Sequence, residues 1–418
     1  MLDIKFIRKN PNKLREGVKK KQKEVDIDMI LKLDEQHKTI LKEIEKIRAE
    51  KNRASKEIAK TKEKQGIISK MKVLDKKEED LKQKIKEIEI KLNEILYQIP
   101  NLPLDEVPGG NSEKDNVVLR EVGEKAKFDF RPKSYLEIAQ NLDLIDTKRA
   151  AKIVGTRFTY LKKEAVFLEF AIINFTFEKL IKKGFVPVIP PVMMKAEMAR
   201  GMGYIEQLDR EEAYYLPKDD LYLAGTAEQP IGTMHANEVF EEKDLPKRYV
   251  GFSTCFRREA GSYGKDTKGI FRVHQFDKIE MFSFCHPEKS KEEHHFFLST
   301  EEELMQDLKL PYRIVQMCTA DLGFPTAAKY DVEAWLPSEK RYRETHSTSN
   351  CTDFQARRLG IRYKDSKTKR MEFLHTVNGT AFAIGRTLIA IIENYQQEEG
   401  SIKVPEVLQK YTFFKEIK

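Results

Sequence analysis

Hydrophobic residues recur at alternating intervals of three and four along two stretches of the first hundred residues. One seam runs from Leu33 to Ile58, and a second runs from Ile67 to Ile99. This spacing is typical of helices that pack as a coiled coil. Between the seams, residues 61–66 lose the pattern and end in glycine, which favours a chain reversal. The sequence therefore predicts an antiparallel helical hairpin, roughly 45 Å long at ~1.5 Å per residue.

A different pattern begins after this hairpin. Pro100, Pro103 and Pro108, followed by Gly109 and Gly110, interrupt helical periodicity and are typical of a linker. We therefore predict one domain over residues 1–103 and a second over residues 104–418. Predicted helices cover about 167–183 and a segment that opens at 378–386 and ends near 395, and predicted strands lie near 185–191, 222–224, 249–257, 273–284 and 312–317. Runs of strands with helices outside them predict an α+β fold with a mostly antiparallel sheet flanked by helices.

The charge is concentrated in the predicted hairpin. Residues 1–100 contain 28 Lys and Arg against 19 Asp and Glu, a net of +9, whereas the remaining residues have a net of −1. A basic helical segment of this kind can bind a polyanion such as nucleic acid. A solvated, lysine-rich helix surface explains the charge alone equally well.

The four cysteines are too far apart to indicate a metal or disulfide framework. Cys255, Cys285, Cys318 and Cys351 form no C-x-x-C pair, so we expect no structural zinc and reduced thiols, as in a cytoplasmic protein. The N-terminus has no apolar signal core. The most apolar long stretch, 165–177, is interrupted by Glu169, and we predict no membrane segment.

Residues 255–280 carry the most specific chemical pattern of the chain. Arg257 and Glu259 are two residues apart on a predicted strand, so their side chains are expected on one face of a sheet. A glycine-rich loop, 261–269, follows. A second predicted strand then carries Arg272, Val273, Phe276 and Glu280. A guanidinium suits a phosphate, a carboxylate suits an amine and an aromatic face suits a base, so the hairpin predicts a nucleotide-activating site.

Three separated segments resemble the signature motifs of class II aminoacyl-tRNA synthetases: the helix and strand ending at Pro190-Pro191, the hairpin with Phe256-Arg257-x-Glu259, and the strand and helix at Gly385-Arg386. Within this class the chain resembles the seryl-tRNA synthetase family over essentially its full length. The resemblance extends through 226–228, the loop 259–272, the segment 343–358 and the N-terminal arm. Relatives for threonine, proline, histidine and glycine typically append an anticodon-binding domain after the third motif, and only 32 residues follow here.

The resemblance implies a reaction and a set of partners. The expected reaction is activation of L-serine with ATP to seryl-adenylate, followed by transfer of serine to the 3′ end of tRNA(Ser), with tRNA(Sec) as a second candidate. The implied cofactor is Mg²⁺ carried with ATP. The arm is expected to grip the long variable arm of tRNA(Ser) by backbone and shape contacts. A homodimer with Pro190 at its interface is also implied.

The resemblance also implies the nucleotide-side residues. Arg257 is expected to clamp the α-phosphate, Glu259 to accept from the adenine amine, Phe276 to stack on the base and Arg386, at a helix start, to hold the γ-phosphate. A buried strand phenylalanine such as Phe276 is otherwise ordinary core. The complete implied ATP set is Arg257, Arg258, Glu259, Val273, Phe276, Glu344, Thr345, His346, Ser347 and Arg386.

Two of these residues are also implied magnesium ligands. Glu344 and Ser347 offer a carboxylate and a hydroxyl, which are ordinary oxygen ligands for Mg²⁺. The alternative for Glu344 is a surface ion pair with Arg343 or Arg341. Catalytic roles are implied for Arg257, Glu280 and Arg386.

The implied amino-acid pocket combines carboxylates with short polar groups. Its members are Thr226, Ala227, Glu228, Arg257, Glu280, Asn378 and Thr380. Glu228 and Glu280 are the candidates for binding the ammonium group. A pocket of this kind rejects alanine well, because its polar groups would be left unpaired, and rejects threonine less well.

Several interpretations stay open at this point. The loop 261–269, with Lys265 and Lys268, is a changing contact, a lid or a simple turn. Gly225, Gln229 and His346 depart from the familiar family pattern and leave the pocket shape open. Rival functions are a paralogue that charges a carrier protein, against which the retained arm argues, and a non-catalytic scaffold. The intact phosphate and metal ligands argue against a scaffold.

Overall fold

The computed structural model describes residues 1–58, 64–205, 212–260, 266 and 268–418. These residues form two compact units, residues 1–100 and residues 101–418. Part of the predicted chain reversal, 61–63, lies outside the described residues, as do Lys265 and most of the predicted loop 261–269.

The regular secondary structure described in the first unit is helical. Its helices are α1 (Ile4–Lys9), α2 (Pro11–Lys20), α3 (Ile27–Ile58) and α4 (Gln65–Tyr97). Helices α3 and α4 pack through a buried cluster of Ile44, Ile47, Leu81 and Ile85. Ion pairs join His37 to Glu89, Glu43 to Lys77 and Lys51 to Asp75. Residue numbers rise along one helix as they fall along the other, which confirms the predicted antiparallel hairpin.

A polar layer interrupts the apolar seam of the hairpin. Glu78, at a seam position, is 5% exposed and lies 2.8–3.2 Å from the cationic nitrogens of Lys82, Lys51 and Arg48. Hydrogen bonds from these cations lower the pKa of Glu78 to about 2. A paired polar position of this kind helps to set the register of two packed helices.

The second unit is built on one large sheet. The strands of the unit are β1 (Val117–Val122), β2 (Ile145–Asp146), β3 (Tyr160–Leu161), β4 (Val186–Val188), β5 (Met193–Lys195), β6 (Tyr215–Leu216), β7 (Leu221–Leu223), β8 (Val239–Glu241), β9 (Lys247–Phe256), β10 (Gln275–Cys285), β11 (Tyr312–Gln316), β12 (Ala328–Leu336), β13 (Arg341–Thr352), β14 (Arg362–Lys364), β15 (Met371–Phe373), β16 (His375–Ala383), β17 (Ile402–Lys403) and β18 (Glu416–Ile417). The strands of the large sheet run in the order β1-β11-β12-β13-β16-β10-β9-β4, and every neighbouring pair is antiparallel except β4 with β9.

Helices pack against both faces of this sheet. The helices of the unit are α5 (Tyr135–Asn141), α6 (Thr147–Val154), α7 (Glu164–Lys182), α8 (Ala196–Met202), α9 (Glu228–Thr233), α10 (Ser290–Asp307), α11 (Phe354–Leu359) and α12 (Ile384–Asn394). The core packs α7, α10 and α12 against the sheet and includes Ile172, Ile279, Phe297, Val332 and Ile391, all with no exposed surface. Burying a side chain of this size stabilises the fold by about 1.5–3 kcal/mol. The predicted α+β class is confirmed.

Two strand ends differ from the prediction. Strand β9 ends at Phe256, so Arg257 and Glu259 lie just after the strand, and Arg272 and Val273 lie just before β10. The backbone N–H of Arg257 still donates to His274 O at 2.9 Å, and Glu259 then adopts a left-handed φ of 53° that turns the chain away from the sheet. Segment 378–383 belongs to strand β16, which pairs on both sides, so helix α12 begins only at 384.

Two further expectations from the sequence concern the cysteines and membrane-spanning helices. All four cysteines are free and buried. No helix within the described residues is long and apolar enough to cross a membrane.

Candidate active site

A cavity of about 610 Å³ opens on the sheet face opposite the helical core. Residues that alternate with the core residues along β10, β13 and β16 form its floor, and the segment after β9, helix α9 and the start of α12 form its walls. One end, which we term the arginine end, holds Arg386 and Glu344. The other, the glutamate end, holds Glu228 and Lys278.

Arg386 and Glu344 form an ion pair at the arginine end. Arg386 Nη1 lies 3.2 Å from Glu344 Oε2 and donates to the Glu344 backbone oxygen at 3.1 Å. The guanidinium also lies 4.7 Å from the centre of the Phe271 ring. Neither alternative partner predicted for Glu344 is used here, because Arg341 and Arg343 pair with Glu339 instead.

A β-bulge places Glu344 and Ser347 on the same side of β13. Residues three apart on a regular strand face opposite sides. Here Glu344 is opposite Glu333 and His346 is opposite Val332, so Thr345 is the extra residue. The bulge brings both side chains to the cavity.

Glu344 is held in its ionised form. Desolvation acts to raise its pKa, but the charges of Arg386 and Lys329 outweigh it and lower the pKa of Glu344 to about 2. Lys329 lines the cavity and lies 3.0 Å from Asp331. A carboxylate and a hydroxyl on one cavity wall are a donor set that suits a hard divalent cation. Among the described residues, no cluster of three or more His, Cys, Asp or Glu side chains is arranged to hold a metal ion.

Arg257 lies between the two ends of the cavity. Its Nε donates to Gly225 O at 3.0 Å, and its guanidinium lies 5.4 Å from the centre of the Phe276 ring. Its charge lowers the pKa of Glu344 at one end and opposes the rise in the pKa of Glu280 at the other. Arg257 can therefore contact groups of a ligand that spans both ends.

Glu259 and Arg258 follow Arg257 and point in different directions. Glu259 lines the cavity and accepts from Arg272 Nη1 at 2.7 Å. The guanidinium of Arg258 lies 5.4 Å from the centre of the Tyr214 ring, and its backbone N–H donates to Glu212 O. The left-handed φ of Glu259 allows its carboxylate to face the cavity.

The glutamate end contains a network of buried polar side chains. Lys278 Nζ lies 2.6 Å from Glu280 Oε2 and donates to Thr226 Oγ1 at 3.2 Å. Thr380 Oγ1 donates to Glu280 Oε2 at 3.5 Å. The Tyr204 hydroxyl donates to Glu228 Oε1.

The two glutamates influence each other. Burial, followed by the negative charge of Glu280, raises the pKa of Glu228 to about 7, against the opposing charge of Lys278. Burial also raises the pKa of Glu280, and Lys278 again opposes the rise. This end of the cavity is small and polar and is set up to bind a cationic group.

The chain matches two family models. The seryl-tRNA synthetase N-terminal domain matches residues 1–103, and the class II tRNA synthetase core domain for G, H, P, S and T matches residues 214–395. A serine–tRNA ligase of Pyrococcus abyssi is 45% identical over 444 aligned positions, which cover 100% of this chain and 97% of that protein. The chain belongs to the seryl-tRNA synthetase family.

Solved structures agree with this membership. Seryl-tRNA synthetase from Pyrococcus horikoshii, crystallised with ATP, superposes with a TM-score of 0.93 at 41% identity and covers 100% of this chain and 99% of its own. The cytoplasmic serine–tRNA ligase of Naegleria fowleri, in complex with AMP, gives 0.89 at 34% identity, with the same coverage. The predicted family, fold class and enzyme class are thereby confirmed.

Most of the site residues predicted from the family resemblance line this cavity. On the nucleotide side these are Arg257, Glu259, Val273, Phe276, Glu344, Thr345, Ser347 and Arg386. On the amino-acid side they are Thr226, Glu228, Asn378 and Thr380. Glu280 lies directly beneath the surface and is 1% exposed.

Three predicted residues occupy other positions. His346 faces the helical core because of the bulge, lies 5.2 Å from the Phe382 ring, and shares a hydrogen bond with Thr345 Oγ1 at 2.8 Å. Burial lowers its pKa to about 3, so it is neutral. Ala227 has no exposed surface, and the Arg258 guanidinium lies against Tyr214.

The synthetase cavity also contains residues that sequence reasoning did not assign. Lys278 and Lys329 each lie two residues before a carboxylate on the same strand. This i, i+2 spacing places each lysine on the same face as its carboxylate, and it could have identified both lysines from the sequence. Tyr204 lies in the loop after α8 and reaches Glu228 only through the fold. No local sequence signal identifies Tyr204.

Proposed function

We propose that this chain activates L-serine with ATP and transfers serine to the 3′ end of tRNA(Ser). The observation that carries the proposal is the continuity of the arginine end with the small polar glutamate end across Arg257. An adenylate joins a phosphate to an amino acid through one bond. A cavity with an arginine between a phosphate-type site and an ammonium-type site fits that molecule.

ATP is assigned to the arginine end. Arg386 and Arg257 hold phosphate oxygens, and Phe276 and Glu259 bind the adenine face and amine. Each is positioned by its own contacts: Glu259 by Arg272 and Arg257 by Gly225 O. Prepositioned cations stabilise charge that develops at phosphorus without reorganisation during the reaction.

Magnesium enters with ATP. Glu344 and Ser347 would hold it, since both face the cavity and Glu344 stays ionised at any pH above about 4. The ion supplies charge neutralisation on the phosphates.

L-Serine is assigned to the glutamate end. The charge of Glu280 is balanced by Lys278, and Glu280 Oε2 lies 3.5 Å from Thr380 Oγ1. We therefore assign Glu280 as the acceptor for the serine hydroxyl. Glu228 accepts a hydrogen bond from the neutral Tyr204 hydroxyl, and it is the carboxylate for the ammonium group. Asn378 and Thr226 complete the polar wall.

The chemistry is two-step acyl transfer. The serine carboxylate attacks the α-phosphorus of ATP and pyrophosphate leaves. The terminal ribose 3′-hydroxyl of the tRNA then attacks the activated carbonyl, and AMP leaves. Positioning and charge stabilisation account for both steps, and neither needs a protein nucleophile.

The N-terminal hairpin is assigned to tRNA. Residues 1–103 would bind the long variable arm of tRNA(Ser) and residues 104–418 would catalyse both steps. The net charge of +9 over residues 1–100 supports a polyanionic partner. tRNA(Sec) is a second candidate acceptor, and the cytoplasm is the proposed compartment.

A homodimer is proposed through the surface of α7 and β4. Phe170, Ile181, Val186 and Ile189 are exposed apolar side chains on these elements and the segment that follows them. A surface of this kind favours burial against a second copy. Pro190 lies at the end of the same segment.

The test is amino-acid-dependent ATP–pyrophosphate exchange without tRNA, with serine, threonine, alanine and glycine compared. Exchange with serine alone supports the assignment. Exchange with a different amino acid would overturn the pocket assignment, and no exchange with any would favour a non-catalytic scaffold.

A further inference from the structure

Lys278 occupies a central place in the glutamate end that the proposed reaction does not yet use. It lies on β10 two residues before Glu280, so both side chains leave the same face of the sheet. Lys278 is 7% exposed and Glu280 1% exposed. Lys278 Nζ bridges Glu280 Oε2, at 2.6 Å, and Thr226 Oγ1, at 3.2 Å.

The charge balance of the pocket explains why a lysine is needed there. Two buried carboxylates, Glu228 and Glu280, face one side of the pocket, and serine brings only one ammonium group. A buried carboxylate without a cationic partner takes up a proton or leaves an uncompensated charge, and both are costly. Glu280 in turn helps to raise the pKa of a further buried carboxyl group, Glu301, on helix α10 behind the sheet. Lys278 and Arg257 both oppose the rise in the pKa of Glu280, and Lys278 is the cation in direct contact with it.

The geometry also separates the two carboxylates. Each has its own donor: Lys278 for Glu280 and Tyr204 for Glu228. Lys278 and Thr380 both contact Oε2 of Glu280, so that carboxylate is held from two sides. Within the part of the chain that the structure describes, Glu228 forms no ion pair and is left as the carboxylate for a cationic group.

We propose that Lys278 is a positioning residue that favours the ionised form of Glu280 and directs it to the substrate hydroxyl, and thereby sets the preference for serine over alanine. The inference rests on the proposed function, since it assumes that serine occupies the glutamate end. Loss of Lys278 would remove a positive charge in direct contact with Glu280 and favour its protonated form. Glu280 would then lose its charged acceptor character toward the substrate hydroxyl.

The size of the effect follows from the hydrogen bond at stake. A hydrogen bond to a charged group contributes about 1.5–3 kcal/mol, which corresponds to roughly 10- to 150-fold in kcat/KM. Alanine lacks the hydroxyl and loses little. The preference for serine over alanine is therefore expected to fall by about 10- to 100-fold when Lys278 is replaced by methionine.

The experiment measures ATP–pyrophosphate exchange with serine and with alanine for the full chain and for Lys278→Met and Lys278→Gln. We expect Lys278→Met to raise the KM for serine and lower the serine-to-alanine ratio, with the KM for ATP unchanged. Lys278→Gln, which is neutral but can still donate, is expected to be intermediate. Lys289→Met is the matched control, because the Lys289 side chain is 63% exposed and pairs with the exposed Glu292.

The outcomes separate the two proposals. An unchanged serine-to-alanine ratio in both variants, or an equal rise in the KM for ATP, would refute the role of Lys278. No serine-dependent exchange by the unaltered chain would refute the proposed function itself. Thermal melting of each variant checks folding, and if Lys278→Met does not fold, Lys278→Gln carries the same comparison.

Discussion

Replacing Glu344 by glutamine removes the charge at the arginine end while it keeps the size of the side chain. The pKa of Glu344 is about 2 against an ordinary 4.5. At ~1.36 kcal/mol per pKa unit this corresponds to about 3 kcal/mol of favourable interaction with the neighbouring cations. The side chain is 43% exposed, so solvent screening reduces the contribution to folding to about 1 kcal/mol or less.

The expected effect on catalysis is much larger than the effect on stability. Removing one prepositioned electrostatic group costs about 10²–10³ in rate, and the loss of a candidate magnesium ligand should shift the Mg²⁺ dependence to higher concentration. Because the pKa of Glu344 is depressed, the carboxylate is ionised throughout the neutral range, and the defect should not change between pH 6 and 9.

The assay is ATP–pyrophosphate exchange at saturating serine with Mg²⁺ varied, together with thermal melting. Glu339→Gln is the matched control, because Glu339 pairs with Arg341 and Arg343 just before β13. Exchange by Glu344→Gln at the unaltered rate and with the same Mg²⁺ dependence would show that the carboxylate serves only as a partner for Arg386, and our reasoning on the arginine end would be wrong.

The remaining predictions concern the arm and the histidines. Leu81→Ala opens a cavity in the buried seam of the hairpin and should destabilise the hairpin by about 2–5 kcal/mol. We expect this variant to aminoacylate tRNA less well while its pyrophosphate exchange stays intact. Deletion of residues 30–97 should abolish aminoacylation and spare pyrophosphate exchange. Equal loss of both activities would contradict this division of labour. Burial lowers the pKa of His294 to about 4 from 6.5, so the unfolded chain binds more protons between these values and stability falls as the pH drops below 6.5. In His294→Gln, the loss of unfolding free energy between pH 6.5 and 5, measured by urea unfolding, should be smaller by about 2 kcal/mol. An identical pH dependence in the variant would refute this role of His294.

The hairpin is the element that the sequence predicts best. Coiled-coil packing depends on positions repeated within one helix, so the seams through Ile44 and Leu81 are visible in the pattern itself. The nucleotide hairpin was predicted less accurately. Arg257 and Glu259 are predicted on a strand, but Glu259 adopts a left-handed turn just after β9, and no periodicity encodes that turn.

The side of β13 taken by each residue was decided by its partner strand. A strict period of two would place Glu344 and His346 on one face, with Ser347 on the other. The extra residue at Thr345 reverses the alternation, brings Ser347 to the cavity and sends His346 into the core. Because a bulge is a property of the pairing between two strands, β13 alone does not reveal it.

The sequence by itself determined the family, the helical arm, the order of the motifs and the identity of the main charged residues, since these depend on local spacing and residue type. Only the tertiary structure decided which charges meet. Lys278 and Glu280 come from one strand, Glu228 from helix α9 and Tyr204 from the loop after α8. Their pKa values and roles depend on burial and on distances of a few ångströms between segments far apart in the chain, and such distances exist only once the chain has folded.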